Sequence, residues 1–232
     1  MPKPPERRVR IYNEDCFKTF DRLDDQSIDM VMCDPPYGTT ACKWDSIIPL
    51  EPMWEQLQRI VKPNGAIVMT ASQPFTTTLI SSNMKMFKYC WVWEKSHPSG
   101  CALANKRTMK YHEDITVFYS KQPTYNPIKW IGNKSHSVGG QVGKRVGAKS
   151  NADMIQTTTE YPETKYPRSI IKFSNPRTKN QHPTQKPVAL MEYLIKTYTK
   201  EGDIVLDFAM GSGTTGVACK NFNRRFIGIE KD

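Results

Sequence analysis

Short apolar runs alternate with amphipathic stretches at both ends of this 232-residue chain. Residues 9–12 and 28–33 read as strands, the second (Ile-Asp-Met-Val-Met-Cys) apolar enough to be buried on both faces. Residues 52–61 carry apolar side chains at helical spacing and run into Lys62-Pro63-Asn64-Gly65, which predicts a helix stop and a turn. A strand over 66–70, a helix over 73–82 and the start of a further strand at 89–93 follow. The rhythm resumes late in the chain. Pro187 opens a helix over 188–198, residues 203–208 form an apolar strand, 214–221 a helix and 225–230 a strand. Strand followed by helix, repeated, predicts an α/β fold, doubly wound around a mostly parallel sheet. The length favours one domain over 1–232, built from 9–95 and 182–232 around an insertion at 97–181.

That insertion changes the picture through charge. It holds 14 Lys and Arg against 5 Asp and Glu, so most of the chain's net +10 sits in it. Such asymmetry predicts a polyanionic partner. Lys106, Arg107, Lys110, Lys144 and Arg145 are its candidate contacts, with Asn105 and Gln141 as candidate readers of base edges. An anionic membrane is the weaker partner, because no run of 18 apolar residues exists and the Pro- and Arg-rich start has no apolar leader. The six cysteines form no C-x-x-C pair and no zinc-spaced cluster, so no metal site is expected. Reduced, mostly buried thiols and a cytoplasmic location are expected instead.

Two loops carry candidate chemistry. The first is Asp207-Phe208-Ala209-Met210-Gly211-Ser212-Gly213-Thr214-Thr215-Gly216, a strand, a tight glycine turn and a helix. Gly211 and Gly213 allow a ligand to approach the backbone closely, and the helix start presents free N–H groups. Glu230, 19 residues after Gly211, ends the next strand, where a carboxylate accepts from ribose hydroxyls. Asp207 is placed to take the ammonium of an amino-acid arm. The pattern formally matches a dinucleotide fingerprint, which keeps an NAD-binding oxidoreductase as a rival. Such a fingerprint usually opens its sheet, whereas only two residues follow Glu230 here.

The second loop is Asp34-Pro35-Pro36-Tyr37, directly after a buried strand. Two prolines stiffen the chain and remove two N–H donors, leaving the Asp34 carboxylate and the Pro35 carbonyl as acceptors beside an aromatic face. That set fits a planar heterocycle with an exocyclic amine. Two acceptors out of the ring plane localise the amine lone pair, which is then positioned to attack a sulfonium methyl. Trp44 and Asp45 are candidates to line the same pocket, while Trp91 and Trp93, at strand spacing, read as core packing. Cys33 touches the segment but is not expected to be a nucleophile.

Together these segments resemble the amino-methyltransferases of DNA, in the β-class order with the catalytic tetrapeptide ahead of the cofactor glycines. The resemblance extends to Glu14-Asp15-Cys16, to His182-Pro183-Thr184-Gln185-Lys186-Pro187 and to Ile227-Gly228-Ile229-Glu230. It implies methylation of adenine N6 in a flipped base, with S-adenosylmethionine as cofactor. Catalysis falls to Asp34, Pro35, Pro36 and Tyr37. Cofactor contacts fall to Asp15, Cys16, Asp34, Lys186, Asp207, Gly211, Ser212, Gly213, Thr214 and Glu230, with Lys186 neutralising the cofactor carboxylate. Cytosine N4, RNA and protein substrates stay open as alternatives. A homodimer and a companion restriction endonuclease are the further partners the resemblance brings.

Overall fold

The computed structural model describes residues 8–40, 42, 45–132, 164–175 and 185–231. The elements run β1 (Val9–Asn13), α1 (Cys16–Phe20), β2 (Ile28–Cys33), α2 (Leu50–Ile60), β3 (Val61–Ala71), α3 (Phe75–Ser82) and β4 (Phe87–Ser99). After them come β5 (Lys110–Phe118), β6 (Trp130–Ile131), β7 (Thr164–Lys165), β8 (Ile170–Phe173), α4 (Val188–Tyr198), β9 (Ile204–Asp207), α5 (Thr214–Asn221) and β10 (Arg225–Glu230).

Eight strands form one sheet in the order β1-β10-β9-β2-β3-β5-β4-β8. Every neighbouring pair is parallel except the two that involve β5, which runs against both β3 and β4. The mostly parallel, doubly wound sheet is thus as expected. Its strands alternate side chains between two buried faces. Val31, Cys33, Ile67, Met69 and Leu206 pack under α1, α2 and α3 through Phe20, Met53, Leu57, Phe75 and Leu79. Met30, Met32, Val68, Val205 and Trp93 pack on the other face against Leu190, Leu194 and Ala218 of α4 and α5. Trp91 and Trp93 are core residues.

Two departures from the sequence pattern have physical causes. Lys62-Pro63-Asn64-Gly65 does end α2, but it lies within β3 as a bulge: Ile28 pairs with Val61 and Met30 with Ala66. The loop is tied down by Lys62, whose ammonium pairs with the Asp29 carboxylate. Gly65 is required there, since a Cβ would meet the Asp29 carbonyl at 2.9 Å and Val61 Cγ1 at 2.6 Å. The second departure is the span 97–181. Part of it, Lys110–Phe118 and Ile170–Phe173, lies inside the central sheet rather than in an insertion. Val117 and Ile115 are buried between sheet neighbours, and burial of that apolar run outweighs the basic character of its flanks.

The chain divides into two compact units, Met1–Asn126 with Arg168–Asp232, and Pro127–Pro167. In the smaller one β6 and β7 pair antiparallel, Trp130 Nε1 donates to the Tyr166 carbonyl at 3.1 Å, and the Lys129 ammonium lies over the Tyr166 ring. Cys16, Cys33 and Cys219 are buried and Cys42 and Cys101 exposed, all as free thiols. No helix among the described residues is long and apolar enough to cross a membrane.

Gly65→Ala is expected to lower stability by about 1–3 kcal/mol, as overpacking does, with no change in the denaturant slope. Urea unfolding of both proteins checks this; equal midpoints would mean that the bulge adapts.

Candidate active site

Parallel pairing places the two chemistry-bearing loops side by side. β2 and β9 are neighbours, with Met30 opposite Val205 and Val31 opposite Leu206. Asp34 and the glycine turn therefore leave the sheet at adjoining strand ends, where ligands of open α/β sheets bind. β10 lies next to β9 and β1 next to β10, which adds Glu230 and Asp15 at successive strand ends. From β1 to β2 is three strand spacings, about 14 Å.

The cofactor side is built from local hydrogen bonds. Gly211 (φ +48°) and Gly213 (φ +80°) hold left-handed backbone, and a Cβ on either would meet nothing within 4 Å. The glycines therefore border open space. Gly213 is the N-cap of α5 and brings no side-chain cap, so the first-turn N–H groups have no side-chain acceptor there. Glu230 Oε2 accepts from Gly211 N at 2.6 Å and ties the turn to the end of β10. Asp15 caps α1 by accepting from Phe17 N at 3.1 Å, and its other oxygen lies 3.5 Å from Lys231 Nζ. Burial and the neighbouring Asp15 carboxylate push the Cys16 thiol up to about 11.

Asp207 is 2% exposed and accepts from Ala209 N at 3.2 Å, with further donors in the Thr215 hydroxyl and the Cys33 thiol. Its carboxylate is buried and organises the start of the turn. Burial raises its pKa to about 7 against the lowering effect of those donors, and the Asp34 charge adds to the rise. Burial also lifts the Cys33 thiol well above its usual range, so it is kept protonated.

The tetrapeptide side centres on Asp34. Oδ1 accepts from the Tyr37 hydroxyl at 2.7 Å and from the Thr70 hydroxyl. Oδ2 accepts from Lys186 Nζ at 2.7 Å. Lys186 also pairs with Glu113 Oε2 at 3.3 Å, and Glu113 Oε1 takes Lys95 Nζ at 3.1 Å. Four alternating charges thus run inward from Asp34. Both lysines are nearly buried, with side chains 8% and 4% exposed. Burial alone would lower the Lys186 pKa, but the Asp34 and Glu113 carboxylates more than offset it and hold the ammonium charged. Burial, Asp34 and Glu113 raise the Tyr37 hydroxyl well above its usual value, so it stays a donor.

Asp45 fixes the loop that carries Tyr37. Oδ1 accepts from Tyr37 N and Gly38 N at 2.8 and 2.9 Å, and Oδ2 from Thr39 N and Thr40 N at 2.9 and 2.7 Å. Burial works to raise the Asp45 pKa, but these donors and the Thr40 hydroxyl overcome it, and the value is lowered. The Tyr37 ring stacks on Phe75 with centroids 5.3 Å apart.

The structure thus brings Asp34, Pro35, Pro36, Tyr37 and Lys186 together, with Gly211, Ser212, Gly213, Thr214, Glu230, Asp15 and Cys16 along neighbouring strand ends. Lys186 sits on Asp34. Lys106 and Arg107 are exposed on the β4–β5 connection, which extends past the end of β3, where Asp114 pairs with Ala71. Lys110 is anchored instead: its Nζ donates to Ser72 Oγ at 3.1 Å and to the Gln73 carbonyl at 3.0 Å. Lys144, Arg145, Gln141, Trp44 and His182 lie outside the described residues. Sequence reading missed Thr70, Phe75, Lys95 and Glu113. The strand-end rule could have found Thr70; Glu113 carries no local signal, because only strand pairing brings it in. No His, Cys, Asp and Glu group among the described residues is arranged to hold a metal.

A doubly wound sheet with one reversed strand, a glycine turn and a tetrapeptide of acceptors at adjoining strand ends defines an α/β methyltransferase. The chain belongs to the DNA methylase family N6_N4_Mtase, which matches residues 28–232. It is 31% identical to the type II methyltransferase M.BglII of Bacillus subtilis, over 98% of this chain and 66% of that protein. Among solved structures, M1.HpyAVI in complex with S-adenosylmethionine is 28% identical, with a TM-score of 0.64 over 97% of this chain and 94% of that one. PvuII DNA methyltransferase, described as cytosine-N4-specific, shares the fold at 17% identity and a TM-score of 0.67, over 97% of this chain and 82% of that one.

Between its ordinary value of 3.8 and about 7, folded Asp207 holds a proton that the unfolded chain has released. Stability contributed by that proton is therefore lost as pH rises from about 4 to about 7. Asp207→Asn is expected to flatten this part of the profile, measured by urea unfolding across the range; an unchanged slope would sink the assignment.

Proposed function

We propose that this chain methylates the N6 amine of adenine in DNA with S-adenosylmethionine as methyl donor. The observation that carries the reading is the junction of β2 with β9, from which Asp34 and the glycine turn emerge at adjoining strand ends. The residues present suit the cofactor: open space in front of Gly211 and Gly213, an uncapped helix start, and carboxylates at two successive strand ends. In this reading Glu230 holds the ribose hydroxyls, Asp15 and Cys16 the adenine, and the turn from Gly211 to Thr214 the amino-acid arm. When bound, the cofactor supplies an electrophilic methyl on a sulfonium sulfur.

The protein's own groups do the rest. Asp34 and the Pro35 carbonyl accept the two amine hydrogens and localise the nitrogen lone pair. The bound cofactor would supply the methyl and depart as the neutral thioether, and Asp34 or water would take the proton released from the amine. Thr70 and Tyr37 on Oδ1 leave Oδ2 as the oxygen with capacity for the amine. A flipped base costs a few kcal/mol to unstack, which stacking on Tyr37 partly offsets. Lys106 and Arg107 are the backbone-contact candidates on this edge.

Aspartate at the head of the tetrapeptide favours adenine, since cytosine-N4 enzymes of this kind more often carry serine there. N4 methylation of cytosine is the second reading, favoured by the fold shared with the cytosine-N4-specific enzyme. A companion endonuclease and a homodimer are the partners this reading carries.

The deciding experiment incubates the protein with isotopically labelled cofactor and bacterial DNA, followed by nucleoside mass spectrometry. N6-methyladenine is expected; labelled N4-methylcytosine moves the substrate to the second reading, and no labelled base refutes both. Asp34→Ala is expected to lower kcat by on the order of 10³ with cofactor affinity retained. Asp45→Ala, which frees the Tyr37 loop from its four N–H anchors, is expected to cost on the order of 10² in kcat/KM. Single-turnover kinetics beside calorimetric cofactor binding checks both.

A further inference from the structure

Lys186 has more donors than its partners use. Its ammonium carries three N–H groups. Two of them are taken by carboxylates, Asp34 Oδ2 at 2.7 Å and Glu113 Oε2 at 3.3 Å, which leaves one. The same ammonium lies 5.6 Å from the centre of the Tyr37 ring, the aromatic face offered to the base. Lys95, bonded to Glu113 Oε1 and at 3.0 Å to Ser99 Oγ, holds Glu113 in place, and Glu113 in turn holds Lys186. The result is a fixed acceptor, Asp34 Oδ2, immediately beside a fixed donor.

That pair has the polarity of an amidine edge. Adenine presents its amine N–H next to the acceptor N1, and cytosine its amine N–H next to the acceptor N3. Thymine presents the reverse, a carbonyl beside an N–H, and would set like groups against like. We infer that Lys186 is a specificity residue that donates to the ring nitrogen adjoining the target amine, while Asp34 takes the amine itself. Glu113 and Lys95 are positioning residues, since they act through Lys186. This inference rests on the proposed amino-methyltransferase reading and assigns to Lys186 a contact with the base rather than with the cofactor.

The test uses the full chain, S-adenosylmethionine and the duplex methylated in the activity assay, with the target adenine replaced by 1-deazaadenine or 7-deazaadenine. The penalty in kcat/KM for 1-deazaadenine is expected to be greater in the wild type than in Lys186→Met by on the order of tenfold, the worth of a hydrogen bond to a charged group. The 7-deazaadenine penalty is expected to be the same in both. Comparing the two proteins cancels the altered reactivity of the analogue. If Lys186→Met binds cofactor but does not turn over, equilibrium affinities for the same three duplexes complete the cycle. Equal 1-deazaadenine penalties in the two proteins would overturn the inference and leave Lys186 as a counter-ion of Asp34 only. If cytosine is the base, 3-deazacytosine takes the analogue's place. Absence of methyl transfer to any natural base would instead refute the underlying reading, so the two failures are distinct.

Discussion

The parallel pairing of β2 with β9 is the constraint on which the rest depends. Two strands from opposite ends of the chain share hydrogen bonds through Met30, Val31, Val205 and Leu206. Asp29 reinforces the junction by accepting from Ile204 N at 2.9 Å while its other oxygen pairs with Lys62. Both faces of both strands are buried, so a one-residue slip would drive apolar side chains to the wrong face and is strongly disfavoured. Register in turn sets which residues emerge at the strand ends, and so brings Asp34 beside the turn that follows Asp207.

Charge in the site is organised in the same economical way. Asp34, Lys186, Glu113 and Lys95 alternate in sign, so each buried charge faces an opposite one. Buried ion pairs add little net stability, because desolvation offsets their attraction, yet removing one partner typically costs about 3–5 kcal/mol. Such a chain is better understood as fixing orientation. It fixes one oxygen of Asp34 against the Lys186 ammonium, while Tyr37 and Thr70 hold the other oxygen.

Asp207, a carboxylate just ahead of a glycine turn, reads in sequence as a ligand contact. In the fold it is buried, with Ala209 N–H, Thr215 and Cys33 as donors, and its raised pKa is the consequence of burial. The open side of the turn is left to backbone and to Glu230, whose bond to Gly211 N sets the turn's position relative to β10.

What the sequence alone determined was local. Apolar runs and amphipathic spacing marked the strands and helices of 9–95 and 182–232; the Asp34 tetrapeptide, the glycine turn and Glu230 stood out because stiff prolines, left-handed glycines and a strand-terminal acid each have a short-range chemical meaning, and Asp15 through the family resemblance alone. The tertiary structure alone decided three things. It seated Lys110–Phe118 between β3 and β4, it buried Asp207, and it set Lys186 on Asp34, 152 residues away. Each turns on strand order and burial, and desolvation acts on a side chain through neighbours distant in the chain, which no local pattern of residues encodes.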